Sequence, residues 1–178
     1  MKRTLFSVLM AATLVAFISC GSTKVENVKE EPAAPADSAA KVAAMAEEGA
    51  IDLSTWETMD KFAVKYDAEA YTITMNGNEY IQFPLAQPLE AGKTITVHIT
   101  GVNNGKSGFR SWVVDNNQTT NSDPLYMDSA FDGLAAGDFD ITYTLNATAE
   151  SYYLFIKGPQ WGTMLDNIIL KSVAVVFN

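Results

Sequence analysis

The residues with the clearest chemical promise lie in Phe109-Arg110-Ser111-Trp112-Val113. Arg110 and Trp112 are two apart, so on a strand they share one face, and Phe109, Ser111 and Val113 share the other. An indole offers a flat apolar surface to the C–H face of a sugar ring, and a guanidinium donates hydrogen bonds to hydroxyls. The competing arrangement puts Trp112 and Val114 on the core face with Arg110 at the strand edge. Trp161 sits among the turn formers Gly158-Pro159-Gln160-Trp161-Gly162, a setting for an exposed functional ring or for a cap on one end of the fold. Tyr80 and Gln82 share the polar face of another segment, and Tyr126 follows a loop rich in Asn, Gln and Thr; all three are candidates to touch a ligand. Trp56 reads as a core plug.

Other patterns promise less. Asp115, Asn117, Thr119, Asn121 and Asp123 place oxygen side chains at every second position, as a calcium loop of EF-hand type does. The glycine such a loop needs is Thr120 and its closing acid is Tyr126, so a polar loop is expected instead. His98 is the only histidine; a Ser-His-Asp triad would depend on it, and no Gly-x-Ser-x-Gly elbow accompanies it. A sugar contact or a plain surface role is expected for it. Glu57, Glu69, Glu79, Glu90 and Glu150 are scattered among strand ends and turns, without the paired arrangement that glycoside hydrolysis uses.

These residues need strands to position them. Ile95, Val97 and Ile99 alternate with Thr94, Thr96, His98 and Thr100. Phe139, Ile141, Tyr143 and Leu145 alternate with Asp140, Thr142, Thr144 and Asn146, and shorter alternations cover Tyr71–Met75 and Tyr80–Phe83. One apolar and one polar face per segment suits half-buried antiparallel strands. Asn76-Gly77, Gly92, Asn104-Gly105, Gly133, Gly137 and Gly158-Pro159 punctuate the runs. Eight or nine short strands from residue 51 onward predict an all-β fold, an antiparallel β-sandwich of jelly-roll type.

The first fifty residues differ in kind. Lys2 and Arg3 precede an apolar run from Leu5 to Ile18, short of the ~20 residues that span a bilayer. The run ends in Ser19-Cys20, and Cys20 is the only cysteine, so a disulfide within the chain is excluded. This resembles a bacterial lipoprotein signal, which implies cleavage of residues 1–19 and acylation of Cys20. Residues 21–50 are rich in Ala, Glu, Lys and Pro and carry no aromatic residue, so 20–50 reads as lipidated cysteine plus flexible tether. Within it Ser38–Glu48 is a short helix candidate, capped by Ser38 or Asp37 and stopped by Gly49. The whole chain of 178 residues carries a net charge of −9, and loss of residues 1–19 leaves 10 basic against 21 acidic residues. That balance argues against nucleic acid as a partner.

The closing segment Tyr152-Tyr153-Leu154-Phe155-Ile156-Lys157-Gly158-Pro159, then Trp161 through Ile168, then Ile169-Leu170-Lys171-Ser172-Val173, resembles the last strands of xylanase-associated carbohydrate-binding modules of families four, nine and twenty-two, notably those of Bacteroidetes. Leu89-Glu90-Ala91-Gly92-Lys93 and Phe109–Asp115 resemble their middle strands. The likeness covers residues 51–177 and implies a galactose-binding-like jelly roll. It implies a non-catalytic domain, 51–178, that binds a β-linked polysaccharide such as xylan through Tyr80, Arg110, Trp112, Tyr126 and Trp161. It implies that Asp166, otherwise a turn-forming residue, helps bind a structural calcium. Lys157 stands near where some relatives carry an acid, and the usual N-terminal Asn-Gly-Phe-Glu motif has no counterpart. The expectation is therefore a monomeric glycan-binding lipoprotein of the cell envelope, at the periplasmic face or outer surface of the outer membrane. The alternatives are a small β-sandwich glycoside hydrolase or polysaccharide lyase, and a structural envelope lipoprotein with no sugar ligand.

Overall fold

The computed structural model of the chain describes residues 38–58, 64–76, 79–104, 108–127, 134–158 and 167–178. Among them are nine strands: β1 (Val64–Asp67), β2 (Thr72–Asn76), β3 (Tyr80–Leu89), β4 (Thr94–Asn103), β5 (Phe109–Val114), β6 (Leu125–Met127), β7 (Gly137–Asn146), β8 (Ser151–Lys157) and β9 (Asn167–Phe177). They form a five-stranded sheet, β1-β2-β9-β4-β7, and a four-stranded sheet, β3-β8-β5-β6. Every pairing is antiparallel. The expected β-sandwich is the observed fold.

The alternation seen in the sequence sets the inner faces. β4 alternates half-buried and buried residues along its whole length, with Ile95, Val97 and Ile99 fully buried. β3 contributes Ile81 and Phe83, β5 Phe109 and Val113, β8 Leu154 and Ile156, and β9 Ile168, Leu170 and Val173 to one core shared by both sheets. Trp56 packs against this core, as expected. Gly101 occupies an inward position of β4, where an added Cβ would lie 2.3 Å from the Ile169 carbonyl oxygen and 2.6 Å from Cζ of Phe139. The missing side chain makes room for the Phe139 ring, which in turn meets Phe109 of the other sheet at 5.8 Å.

Two details depart from simple alternation. Tyr71 is not a strand residue: it precedes β2 at φ 51° and is buried. Its hydroxyl accepts from the Leu53 amide at 2.8 Å and donates to Asp52 Oδ1 at 3.0 Å, so hydrogen bonds hold a conformation that side chains rarely adopt. β3 lies at a sheet edge, and its register against β8 slips between Pro84 and Leu89. Pro84 and Pro88 have no amide hydrogen to give a ladder, which suits an irregular edge.

Residues 38–50, expected within the tether, are placed against the five-stranded sheet. Helix α1 (Ala39–Ala44) starts at Ser38, whose hydroxyl accepts from the Lys41 amide at 3.2 Å. The chain then runs along β9 beyond the stretch that β2 pairs, with Val175 donating to the Gly49 carbonyl and Ile51 donating to the Val173 carbonyl, both at 2.8 Å. Gly49 has φ 74°, and an added Cβ would collide with the Val175 carbonyl. Lys41 pairs with Asp52 at 2.9 Å.

His98, on the outer face of β4, links this segment to the sheet. Its Nδ1 lies 2.5 Å from Glu47 Oε1 and its Nε2 lies 2.7 Å from Asp140 Oδ1. The hydrogen bond with Asp140, then that with Glu47, raises the imidazole pKa above 6.5. A raised pKa contributes stability that is complete below the unfolded value near 6.5 and is lost as the pH climbs through the folded value. The Glu47 contact is therefore expected to loosen toward alkaline pH. As the only histidine, His98 gives one imidazole resonance pair in an NMR titration; a midpoint at or below 6.5 would contradict the pairing.

Candidate binding site

The outer face of the four-stranded sheet carries the candidate site. Strand registers place its side chains in rows. Gln82 of β3, Phe155 of β8 and Trp112 of β5 are cross-strand neighbours. In the adjacent row Tyr80, Lys157 and Arg110 are neighbours, and Arg110 pairs with Tyr126 of β6. Arg110 and Trp112 thus share a face opposite Phe109, Ser111 and Val113, which are buried in the sandwich. The alternative that made Trp112 and Val114 the core face does not hold: both point outward, Trp112 remains half-buried, and Val114 sits beneath the turn that brings Thr120 back to bridge it.

Three aromatic rings stand side by side on this face. Phe155 is flanked by Tyr80, with ring centroids 4.5 Å apart and planes at 22°, and by Trp112, at 4.7 Å and 25°. Each such pair adds about 0.5–1.5 kcal/mol beyond its buried area. The sandwiching explains why Phe155 is only 6% exposed although it points away from the core. Both of its faces are covered, so the ring surfaces left on this side are those of Tyr80 and Trp112.

Polar groups gather at the Tyr80 end. Gln82 is 8% exposed; its Nε2 donates to Glu57 Oε2 at 2.8 Å, while its Oε1 is buried with no partner among the described residues. Glu57 is fixed there by paired backbone hydrogen bonds with Gln82, both 2.9 Å. From across the face Gln118, at φ 62°, brings Oε1 to 3.4 Å from the Tyr80 hydroxyl. Asp115 shapes that turn by accepting from the Asn117 and Thr119 amides at 2.8 Å each, and those bonds hold its carboxyl below the usual carboxylate range. Glu57, Thr58, Tyr80, Gln82 and Gln118 line a hollow of about 230 Å³. A buried acceptor with no donor costs about 1–3 kcal/mol, which a ligand hydroxyl would recover.

The fold is that of carbohydrate-binding modules. Apo BiXyn10A CBM1 is similar over 74% of this chain and all of its own, with a TM-score of 0.50 at 11% identity. The xylan-binding module CBM86 from Roseburia intestinalis is similar over 70% of this chain and 91% of its own, with a TM-score of 0.48 at 13% identity. The C-terminal CBM6 of LamC from Zobellia galactanivorans is similar over 71% and 97%, with a TM-score of 0.46 at 11% identity. No family model and no curated protein matches the sequence.

Of the residues singled out in the sequence, Tyr80, Arg110 and Trp112 come together on one face, with Tyr126 paired to Arg110 through the backbone. Trp161, Asp166 and Cys20 lie outside the described residues, so the calcium expectation has no geometry here. His98 sits on the other sheet, between two carboxylates, away from this face. Phe155, Glu57 and Gln118 join the site although the sequence did not mark them. A larger groove of about 590 Å³ runs between Glu48–Asp52, Pro84–Ala86 and Val175–Phe177, without the aromatic row.

Proposed function

We propose that this protein is a non-catalytic glycan-binding lipoprotein of the bacterial cell envelope, and that its ligand is a β-linked polysaccharide, xylan or a related glycan. The observation that carries the reading is the Tyr80–Phe155–Trp112 row ending at the unpartnered Gln82 carbonyl. Apolar ring surface beside amide and hydroxyl groups matches the two faces of a pyranose: C–H groups stack and hydroxyls hydrogen-bond. Hydrolysis would ask for a second carboxyl opposite the first, about 5–9 Å away. The carboxylate found at this face among the described residues, Glu57, is engaged by Gln82. Affinity electrophoresis of the full chain against soluble β-glycans, with a reducing-sugar assay on the same mixtures, tests the proposal. Retardation by xylan without new reducing ends is expected. New reducing ends would make it an enzyme, and no retardation by any β-glycan would leave a structural role.

The envelope location follows from the apolar run ending at Cys20. Two or more acyl chains give stable anchoring, since each buried CH₂ contributes about 0.8 kcal/mol. Cys20→Ala is expected to abolish processing or to release the protein from membranes. A variant that is cleaved normally and still sediments with membranes after a carbonate wash would refute the anchor.

A further inference from the structure

The hollow at the Tyr80 end of the aromatic row is built around one side chain that the fold leaves half satisfied. Glu57 and Gln82 are bridge partners whose backbones exchange two hydrogen bonds, so their side chains stand as cross-strand neighbours. Gln82 Nε2 donates to Glu57 Oε2 at 2.8 Å. That bond sets which way the amide points, because turned over it would press Oε1 against a carboxylate oxygen. Oε1 is thus held as an acceptor, buried, with no partner among the described residues. Thr58 Oγ1 donates to the Tyr80 carbonyl at 2.7 Å, which keeps this wall of the hollow against β3. Gln118 lines the hollow from across the face, with its Oε1 3.4 Å from the Tyr80 hydroxyl, and its amide nitrogen brings donors. Tyr80 belongs both to the hollow and to the aromatic row, so a ring stacked at that end brings its edge to the buried acceptor.

We infer that the hollow reads two adjacent free hydroxyls on one sugar ring, so that the bound unit of the glycan must carry an unsubstituted vicinal diol. Interior units of an unbranched β-1,4-linked chain present such a diol, and interior units of a β-1,3-linked chain do not. This inference rests on the glycan-binding reading of the same face and specifies what its ligand must present. One hydroxyl donates to Gln82 Oε1. Its neighbour donates to the Glu57 carboxylate, whose two oxygens have acceptor capacity beyond the bond from Gln82. The same hydroxyls accept from the Gln118 amide. A hydroxyl both gives and takes, whereas an ammonium group only gives and a carboxylate only takes. A site built around a fixed acceptor rejects a ligand whose donor is masked, because the acceptor then stays buried and unpaired.

The test compares deacetylated xylan with the same polymer after chemical acetylation of its ring hydroxyls, by calorimetry on the full chain. Acetylation keeps the backbone and replaces the donors by esters, which only accept. The expected result is at least ~10-fold tighter binding of the deacetylated polymer. In Gln82→Met, an apolar side chain of similar length, the preference should vanish, with affinity for the deacetylated polymer falling to that for the acetylated one. The urea midpoint of that variant should hold or rise, since a buried unpaired acceptor is removed. Because the main comparison changes only the ligand, it stands even if the variant folds poorly. Equal or tighter binding of the acetylated polymer overturns the inference and leaves the glycan-binding reading intact. A preference that survives unchanged in folded Gln82→Met also overturns it, since acetyl groups would then be excluded by bulk alone. Binding to neither polymer overturns the inference, and with no retardation by any β-glycan it overturns the glycan-binding reading as well.

Discussion

Trp112→Ala is expected to weaken glycan binding by about 1–3 kcal/mol, taking the stacking of a base on an aromatic platform as the analogue. The substitution removes one flank of the aromatic row and uncovers a face of Phe155, whose centroid lies 4.7 Å from the indole. Trp112 is half-buried and outside the shared core, so its loss should cost stability on the scale of one aromatic pair, about 0.5–1.5 kcal/mol. A core Trp cut to Ala costs about 3–5 kcal/mol. Calorimetric titration with xylan and urea unfolding of the same preparation separate the two cases. Lost binding with a small shift in midpoint is the expected pair of results. Unchanged affinity would remove Trp112 from the site. A stability loss of core size would make any lost binding a consequence of unfolding.

Gly101→Ala is expected to destabilise the domain by about 3 kcal/mol, the upper end of what overpacking costs. The new Cβ meets two neighbours of different hardness. Phe139 Cζ, at 2.6 Å, belongs to a ring that can turn aside. The Ile169 carbonyl oxygen, at 2.3 Å, belongs to β9, which is hydrogen-bonded to β4 around Gly101 and cannot retreat without loss of the ladder. Combining Gly101→Ala with Phe139→Leu should therefore recover only part of the loss. Urea midpoints of the single and double variants check this. Full recovery would show the ring to be the whole obstacle, and a neutral Gly101→Ala would show the strand able to yield.

Whether a strand could be read in advance depended on the contrast between its two faces. β4 and β7 face the core on one side and carry Thr, His and Asp on the other, so period two stands out. β8 reads Tyr152-Tyr153-Leu154-Phe155-Ile156, apolar on both faces, because its outward Phe155 is buried by other aromatic rings instead of by the core. Alternation cannot mark such a residue, and Phe155 was visible only as part of a strand. Arg110 and Trp112 were legible because polar Ser111 did not blur their spacing. Their partners Tyr80 and Phe155 depended on the strand order β3-β8-β5, which no local pattern encodes. Gln118 reaches Tyr80 across 38 positions of sequence from a turn at positive φ, and its residue type signals nothing of the kind. The helix at Ser38 was legible from its cap. Its docking was not, because that rests on pairings such as Glu47 with His98, 51 residues apart.

The two sheets turn their outer faces in opposite directions, and the N-terminal segment and the aromatic row fall on different ones. The segment from Ser38 to Ile51 arrives on the five-stranded sheet, held by β9 and by His98. The aromatic row stands on the four-stranded sheet. A chain held by its N terminus would thus carry its attachment on its back and its aromatic row on its front. Under the proposed lipid anchor, the sandwich would act as a spacer with a built-in heading, its aromatic row facing away from the sheet on which the N-terminal segment arrives.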